Sequence, residues 1–202
     1  VSVNPVISVA ANVAPSSNVL PGSTVNYTLI FSNTGTVNAP NVEVHAPVNT
    51  LSGVTINSAW TCDAAASLPS TPASICDDFV ATTLPAPPPA GTLSGSFGSL
   101  PVGAKVVFKA TGLVDAMLAQ GASVTLTASD TTTAKVHTCD PASRTNTTNS
   151  ACEADATFTV STPVLGITHT ALPTTNLPPG ASTVYTIRVT NPGVFIVTDA
   201  QV

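Results

Sequence analysis

The chain has 202 residues, enough for one or two domains, and a 43% hydrophobic, 7% charged composition excludes a disordered, charge-rich segment. Its net charge of −5 comes from five Lys and Arg against ten Asp and Glu. Unclustered cations in that number cannot neutralise a phosphate backbone, which excludes nucleic-acid binding. No run approaches the roughly 18–20 apolar residues of a membrane helix, so no membrane insertion is expected.

Val1–Ala14 reads as a first strand, interrupted by Pro5 as an edge or bulge, and Val3, Val6, Ile7 and Val9 are candidates for pairing within the domain or with a neighbouring copy. After a Pro-Gly turn, Val25, Tyr27, Leu29 and Phe31 alternate with Asn26, Thr28 and Ile30, the period of a strand with one buried face. Asn33-Thr34-Gly35 makes a turn. Strands follow over about Asn41–Pro47 and Val54–Trp60, with Trp60 expected to pack in the core beside Cys62. Thr61–Ala90 is irregular and ends in a proline run over Leu84–Gly91, which suits polyproline II. Order resumes at Leu93–Leu100, then Ala104–Val114, where Val106, Phe108 and Ala110 face in and Lys105, Val107 and Lys109 face out. Val124–Ser129 and Ala156–Val160 complete about eight strands, which fits a two-sheet sandwich.

The chain then begins again. Pro163 stands 158 positions after Pro5, and at that offset Ser2–Val44 aligns without a gap to Val160–Val202 with eleven identities, among them Tyr27/Tyr185, Asn33/Asn191 and Gly35/Gly193. Repetition at this scale points to an array protein. Residues 1–160 therefore read as one complete module and 161–202 as the three opening strands of another, completed by further chain or by a neighbouring subunit. Three strands cannot bury both faces of a sandwich, so Val184, Ile187, Val189, Phe195 and Val197 are candidate inter-subunit residues.

Four cysteines lie in two local pairs, Cys62 with Cys76 and Cys139 with Cys152, inside loop-forming sequence. The close Cys and His spacing of a metal site is missing, so disulfides in an oxidising compartment are expected, with three connectivities open and local pairing preferred.

The stretches PGSTVNYTLIFSNTGTVNAPNVEV, FGSLPVGAKVVFKATGLV and TNSACEADATFTV resemble the opening, late and closing strands of the bacterial surface repeats known as domain of unknown function eleven. The resemblance implies an all-β, immunoglobulin-like β-sandwich, in tandem in large secreted or cell-envelope proteins, with no catalytic residues to carry over. The cysteine loops and the proline run exceed the family's usual connections, and whether they form an added contact surface stays open here.

No serine lies in a nucleophile motif, and His45, His137 and His169 are far apart in sequence, with His45 and His169 on expected solvent faces. Asp130, Asp140, Glu153 and Asp155 could supply oxygens to calcium but lack the spacing of a known loop, and solvated carboxylates are the preferred reading. Lys105 and Lys109 turn outward, away from any apolar site for an isopeptide cross-link. Asn26 and Asn146 match the N-glycosylation acceptor pattern, Asn146 being better placed in a loop. No enzyme activity, cofactor or metal is expected. The chain reads as a structural module of an extracellular fibre, pilus-like filament or surface layer, with copies of itself as partners; the alternative is a binding module of a cell-surface adhesin that contacts a glycan or protein.

Overall fold

A computed structural model of the chain describes residues 4–46, 52–69, 74–81, 91–130, 137–146, 148–172, 176–197 and 201. The alternating stretches form the long strands and short ones join them: β1 (Val6–Ala14), β2 (Thr24–Asn33), β3 (Ala39–Ala46), β4 (Val54–Ile56), β5 (Thr61–Cys62), β6 (Phe79–Ala81), β7 (Leu93–Leu100), β8 (Lys105–Val114), β9 (Ser123–Asp130), β10 (Thr138–Cys139), β11 (Arg144–Thr145) and β12 (Cys152–Thr159). A two-stranded sheet follows, β13 (Gly166–Leu172) with β14 (Val184–Thr190).

The first twelve strands make two sheets. One runs β10-β1-β2-β8-β4, with β5 also on β8; the other runs β11-β12-β9-β3-β7-β6. In chain order, β1-β2-β8-β4 is the A-B-E-D arrangement and β3-β9-β12 the C-F-G arrangement of an immunoglobulin-like sandwich, with β7 and β6 added beyond β3. The fold is an all-β sandwich of that type.

Each long strand turns alternate residues inward. Tyr27, Leu29 and Phe31 of β2, Val106, Phe108 and Ala110 of β8, Phe97 of β7, Leu126 of β9 and Phe158 of β12 are all buried in one core. Phe79 joins the two layers, its ring 4.9 Å from Phe108 and 5.3 Å from Phe97. Each fully buried Val, Leu or Phe among them contributes about 1.5–3 kcal/mol of apolar burial, which is what holds the sheets face to face.

Several expectations need correction. The strand from Val54 stops at Ile56, because Ser58 Oγ accepts the Thr111 N–H that a ladder carbonyl would otherwise take, while the Thr111 hydroxyl donates to Asn57 Oδ1. Val107 does not face solvent: the first cysteine loop runs along β8, and buried Ser67 accepts its N–H at 3.0 Å. Trp60, by contrast, does pack against the core as expected, half-buried and with Nε1–H donating to Gly91 O. His45 is also half-buried, and desolvation lowers its pKa. The proline run falls on residues 84–91, of which 84–90 lie outside the described residues, as does Val3.

Candidate interaction surface

The structure joins Cys62 to Cys76 and Cys139 to Cys152, with Cα–Cα distances of 5.7 and 5.3 Å. Both loops are built into the sandwich. In the first, Ile75 enters the core, Ser67 Oγ donates to Asp63 O while accepting from Val107, and Leu68 bridges to Lys105. Asp63 is held below the usual carboxylate range, first by the Lys109 ammonium and then by the Ala66 N–H. In the second, Ser143 Oγ accepts from Val9 N–H at 2.7 Å and donates back to Val9 O, while Thr138 and Cys139 pair with Val6 and Ile7.

The loop strands occupy the edges. β5 and β4 lie on the outer side of β8, β10 on β1, β6 on β7 and β11 on β12. A bare edge is a template for pairing with another chain, and among the described residues these segments cover part of each one, Val6–Ile7 of β1, Cys152–Glu153 of β12 and Gly95–Phe97 of β7 included. Of the two alternatives given above for Val6, Ile7 and Val9, the structure shows pairing within the domain and corrects their listing as inter-subunit residues. Their strand is paired to β2 along its length, and Ile7 and Val9 point into the core.

Hairpin β13–β14 is different. Its seven pairs, from Gly166↔Thr190 to Leu172↔Val184, repeat the β1–β2 pairs from Ser8↔Ser32 to Ala14↔Asn26, every position advanced by 158 (190 − 32). The following turn repeats too. Asn33 Nδ2–H donates to Val37 O and its Oδ1 accepts from Gly35 N–H; Asn191 makes the same bonds to Phe195 and Gly193. Glycine is required at Gly35 because a Cβ there would stand 2.6 Å from Val6 N, and the equivalent contact at Gly193 is with Val164 N.

What does not repeat is the covering. In the first copy β2 lies between β1 and β8, and Asn33 is also held by Leu100 O, Ala104 O and Gly103 N–H. Among the described residues β14 pairs with β13 alone. Tyr185, Ile187 and Val189 are 63, 56 and 37% exposed, where Tyr27, Leu29 and Phe31 are each 0%. Of the residues named from the sequence, Ile187 and Val189 share this face. Val184 aligns with outward-facing Asn26 instead, and Phe195 and Val197 are half-buried. Tyr185 and Ile167 were missed, although their identity or similarity to Tyr27 and Val9 in the alignment would have found them.

The other candidates disperse. Asn26 is exposed on β2 beside a groove of about 460 Å3 lined by Thr28, Ser58, Thr61, Lys109 and Thr111. Asn146 is partly buried, with Nδ2–H donating to Glu153 Oε1 at 2.6 Å, so the nitrogen a glycan would use is engaged. Glu153 and Asp155 pair with Arg144, and Asp140 accepts from Ala142 N–H and the Thr34 hydroxyl, which lower its pKa in that order. Lys109 is more than half exposed beside Asp63. His169 stacks on Tyr185 at 5.4 Å. Asp130 and His137 come together at 2.7 Å in the interior, near Cys152, whose sulfur is committed to its disulfide while its N–H donates to Asp130 Oδ1. No described helix is long and apolar enough to cross a membrane.

No protein-family model matches the chain, and no curated protein matches it. Among solved structures it is similar to a variant of the major pilin subunit of Bacillus cereus (10% identity, TM-score 0.47, 81% of this chain and 42% of that one). It is also similar to a backbone pilin of Streptococcus pyogenes (13%, 0.47, 80% and 37%) and to the CARDB domain of a Pyrococcus furiosus protein (15%, 0.39, 78% and 89%). The chain thus spans about two fifths of the length of the pilins it matches.

Proposed function

We propose that the chain is a non-enzymatic structural module of an extracellular fibre, pilus-like filament or surface layer, and that its partners are copies of the same module. One observation supports this reading: the β13–β14 hairpin repeats the register and the turn of β1–β2 at an offset of 158, so the chain carries two copies of the same structural start. Modules repeated in one chain are suited to stacking in an array. The disulfides fit an oxidising, extracellular setting. On this reading the chain is one of the tandem surface repeats that its motifs resemble.

Negative-stain electron microscopy of the native material and of the purified chain tests it. Regular fibres with a module-length axial repeat are expected; dispersed particles in both samples would sink it. The alternative, a binding module of a large adhesin that contacts its ligand through the Cys62–Cys76 and Cys139–Cys152 loops, has a groove of about 460 Å3 beside Thr61 and Lys109, and ligand binding by a chain that stays monomeric would favour it.

A further inference from the structure

Resting on the reading that modules repeat along one chain, we infer that the joint between consecutive modules is a built contact, in which Gln120 clamps the linker Ser161–Thr162 to the module it leaves and so fixes the direction in which the next module starts. The occupant of this seat is the chain's own linker. Gln120 is an exposed positioning residue with no part in the core.

The seat begins where β12 ends. Val160 lies beside Val19 in a parallel bridge, donates its N–H to Ala122 O and accepts from Gly121 N–H. The chain does not come free there. Ser161 N–H donates to Val19 O at 2.9 Å and its hydroxyl to Asn18 Oδ1 at 3.2 Å. The Thr162 N–H and hydroxyl both donate to Gln120 Oε1, the hydroxyl at 3.0 Å. Every N–H and hydroxyl of the two linker residues is therefore committed to the first module, and both residues are partly buried.

Both receptors are held in place. Asn18 takes a left-handed backbone, φ 53°, and the aligned Asn176 takes φ 61°, so the same receptor recurs in the second copy. Gln120 sits on the β8–β9 connection, which Asp115 ties down: its carboxylate accepts from Met117 N–H at 2.8 Å and its carbonyl from Leu118 N–H at 3.3 Å, while Leu118 packs against the core. A solvated glutamine keeps its rotamers; this one gives them up to place one oxygen between two donors. Beyond Thr162 the chain has little freedom. Pro163 locks its own φ and holds Thr162 in the extended region. Val164 N already lies against the Gly193 turn, 3.1 Å from where a Cβ on that glycine would stand. Pro163 alone therefore separates the contacts of one module from those of the next, and a joint this short transmits direction.

The test is backbone nitrogen relaxation and amide exchange on the isotope-labelled 202-residue chain. Ser161 and Thr162 should show order parameters near the ~0.85 of a rigid backbone, and Gln120→Ala should drop Thr162 below ~0.6 and speed its exchange at least about tenfold. Gln120→Glu keeps acceptor oxygens at that place and should restore both. Asn18→Gly keeps the left-handed backbone and loses Oδ1, so it should loosen Ser161 by a smaller factor, the N–H staying on Val19 O. Dipolar couplings of Gly166–Leu172 should fit the alignment frame of the sandwich in the native chain and depart from it in Gln120→Ala. A linker already mobile in the native chain, or a Gln120→Ala variant that leaves Thr162 as slow as before, would overturn the inference. So would equal loosening of Gly121 and Ala122, which would make Gln120 a prop for its own loop. Fibres from a chain with a mobile linker would remove this inference alone; a rigid linker in a chain never seen to assemble would remove the fibre reading alone.

Discussion

The β1–β2 and β13–β14 hairpins hold the same register, the same asparagine-glycine turn and the same tyrosine, yet one is buried and the other is not. Local sequence therefore suffices to specify the hairpin and its turn. Burial is decided elsewhere, by β8 on the second edge of β2 and by the facing sheet that carries Phe97, Leu126 and Phe158. A lone two-stranded sheet is marginal in water, so the difference should be measurable residue by residue.

The widest gap should come from paired truncations. Phe31→Ala empties a fully buried core position and is expected to cost about 3–5 kcal/mol in urea unfolding. Val189→Ala at the aligned position, already 37% exposed, should cost less than about 1 kcal/mol. Comparable losses at both would mean that the second hairpin is packed as tightly as the first.

The edge covering comes next. Replacing Cys139 and Cys152 by Ser should lower stability by about 3 kcal/mol, the expectation for a loop of this length. It should also speed amide exchange at Val6–Val9, where β10 and Ser143 sit, and leave β14 unaffected. If exchange in β1 stays unchanged, the second loop is not what protects that edge.

The two asparagines sharpen the comparison further. Asn33→Ala strips buried partners from Val37 O and Leu100 O and should cost about 1–3 kcal/mol. Asn191→Ala loses only the local turn, and a drop in the melting temperature of the main transition would contradict this.

The smallest effect is chemical. Burial raises the Tyr27 pKa to about 12, so the fold favours the neutral phenol. That contribution is complete below pH 10 and is lost as pH rises toward about 12. Tyr27→Phe should flatten the stability profile across that window. At neutral pH it should change stability by less than about 1 kcal/mol, because among the described residues the hydroxyl has no hydrogen-bond partner.

Much of this was legible in the residues. Order was expected to resume over Leu93–Leu100, the bounds of β7, and an alignment of the chain with itself matched Tyr185 to Tyr27 and Asn191 to Asn33. The strands β5, β6, β10 and β11 were not legible, being two or three residues long in segments rich in Ala, Ser and Asp. They form because tertiary context, namely Ile75 in the core, Ser67 on Val107 and Ser143 on Val9, holds them against an existing edge. For the same reason the Asp130–His137 contact was invisible: seven positions apart in sequence, the two meet only because Asp130 occupies a core-facing position on β9 that alternation alone would assign to an apolar residue.

Site-resolved hydrogen exchange on the purified chain bears most directly on the difference between the two hairpins, which share a register and a turn but not a covering. Val184–Thr190 should exchange at least about a hundredfold faster than Thr24–Asn33. If β14 is already as protected as β2, the shared register carries its own protection and the covering by β8 is not what decides it.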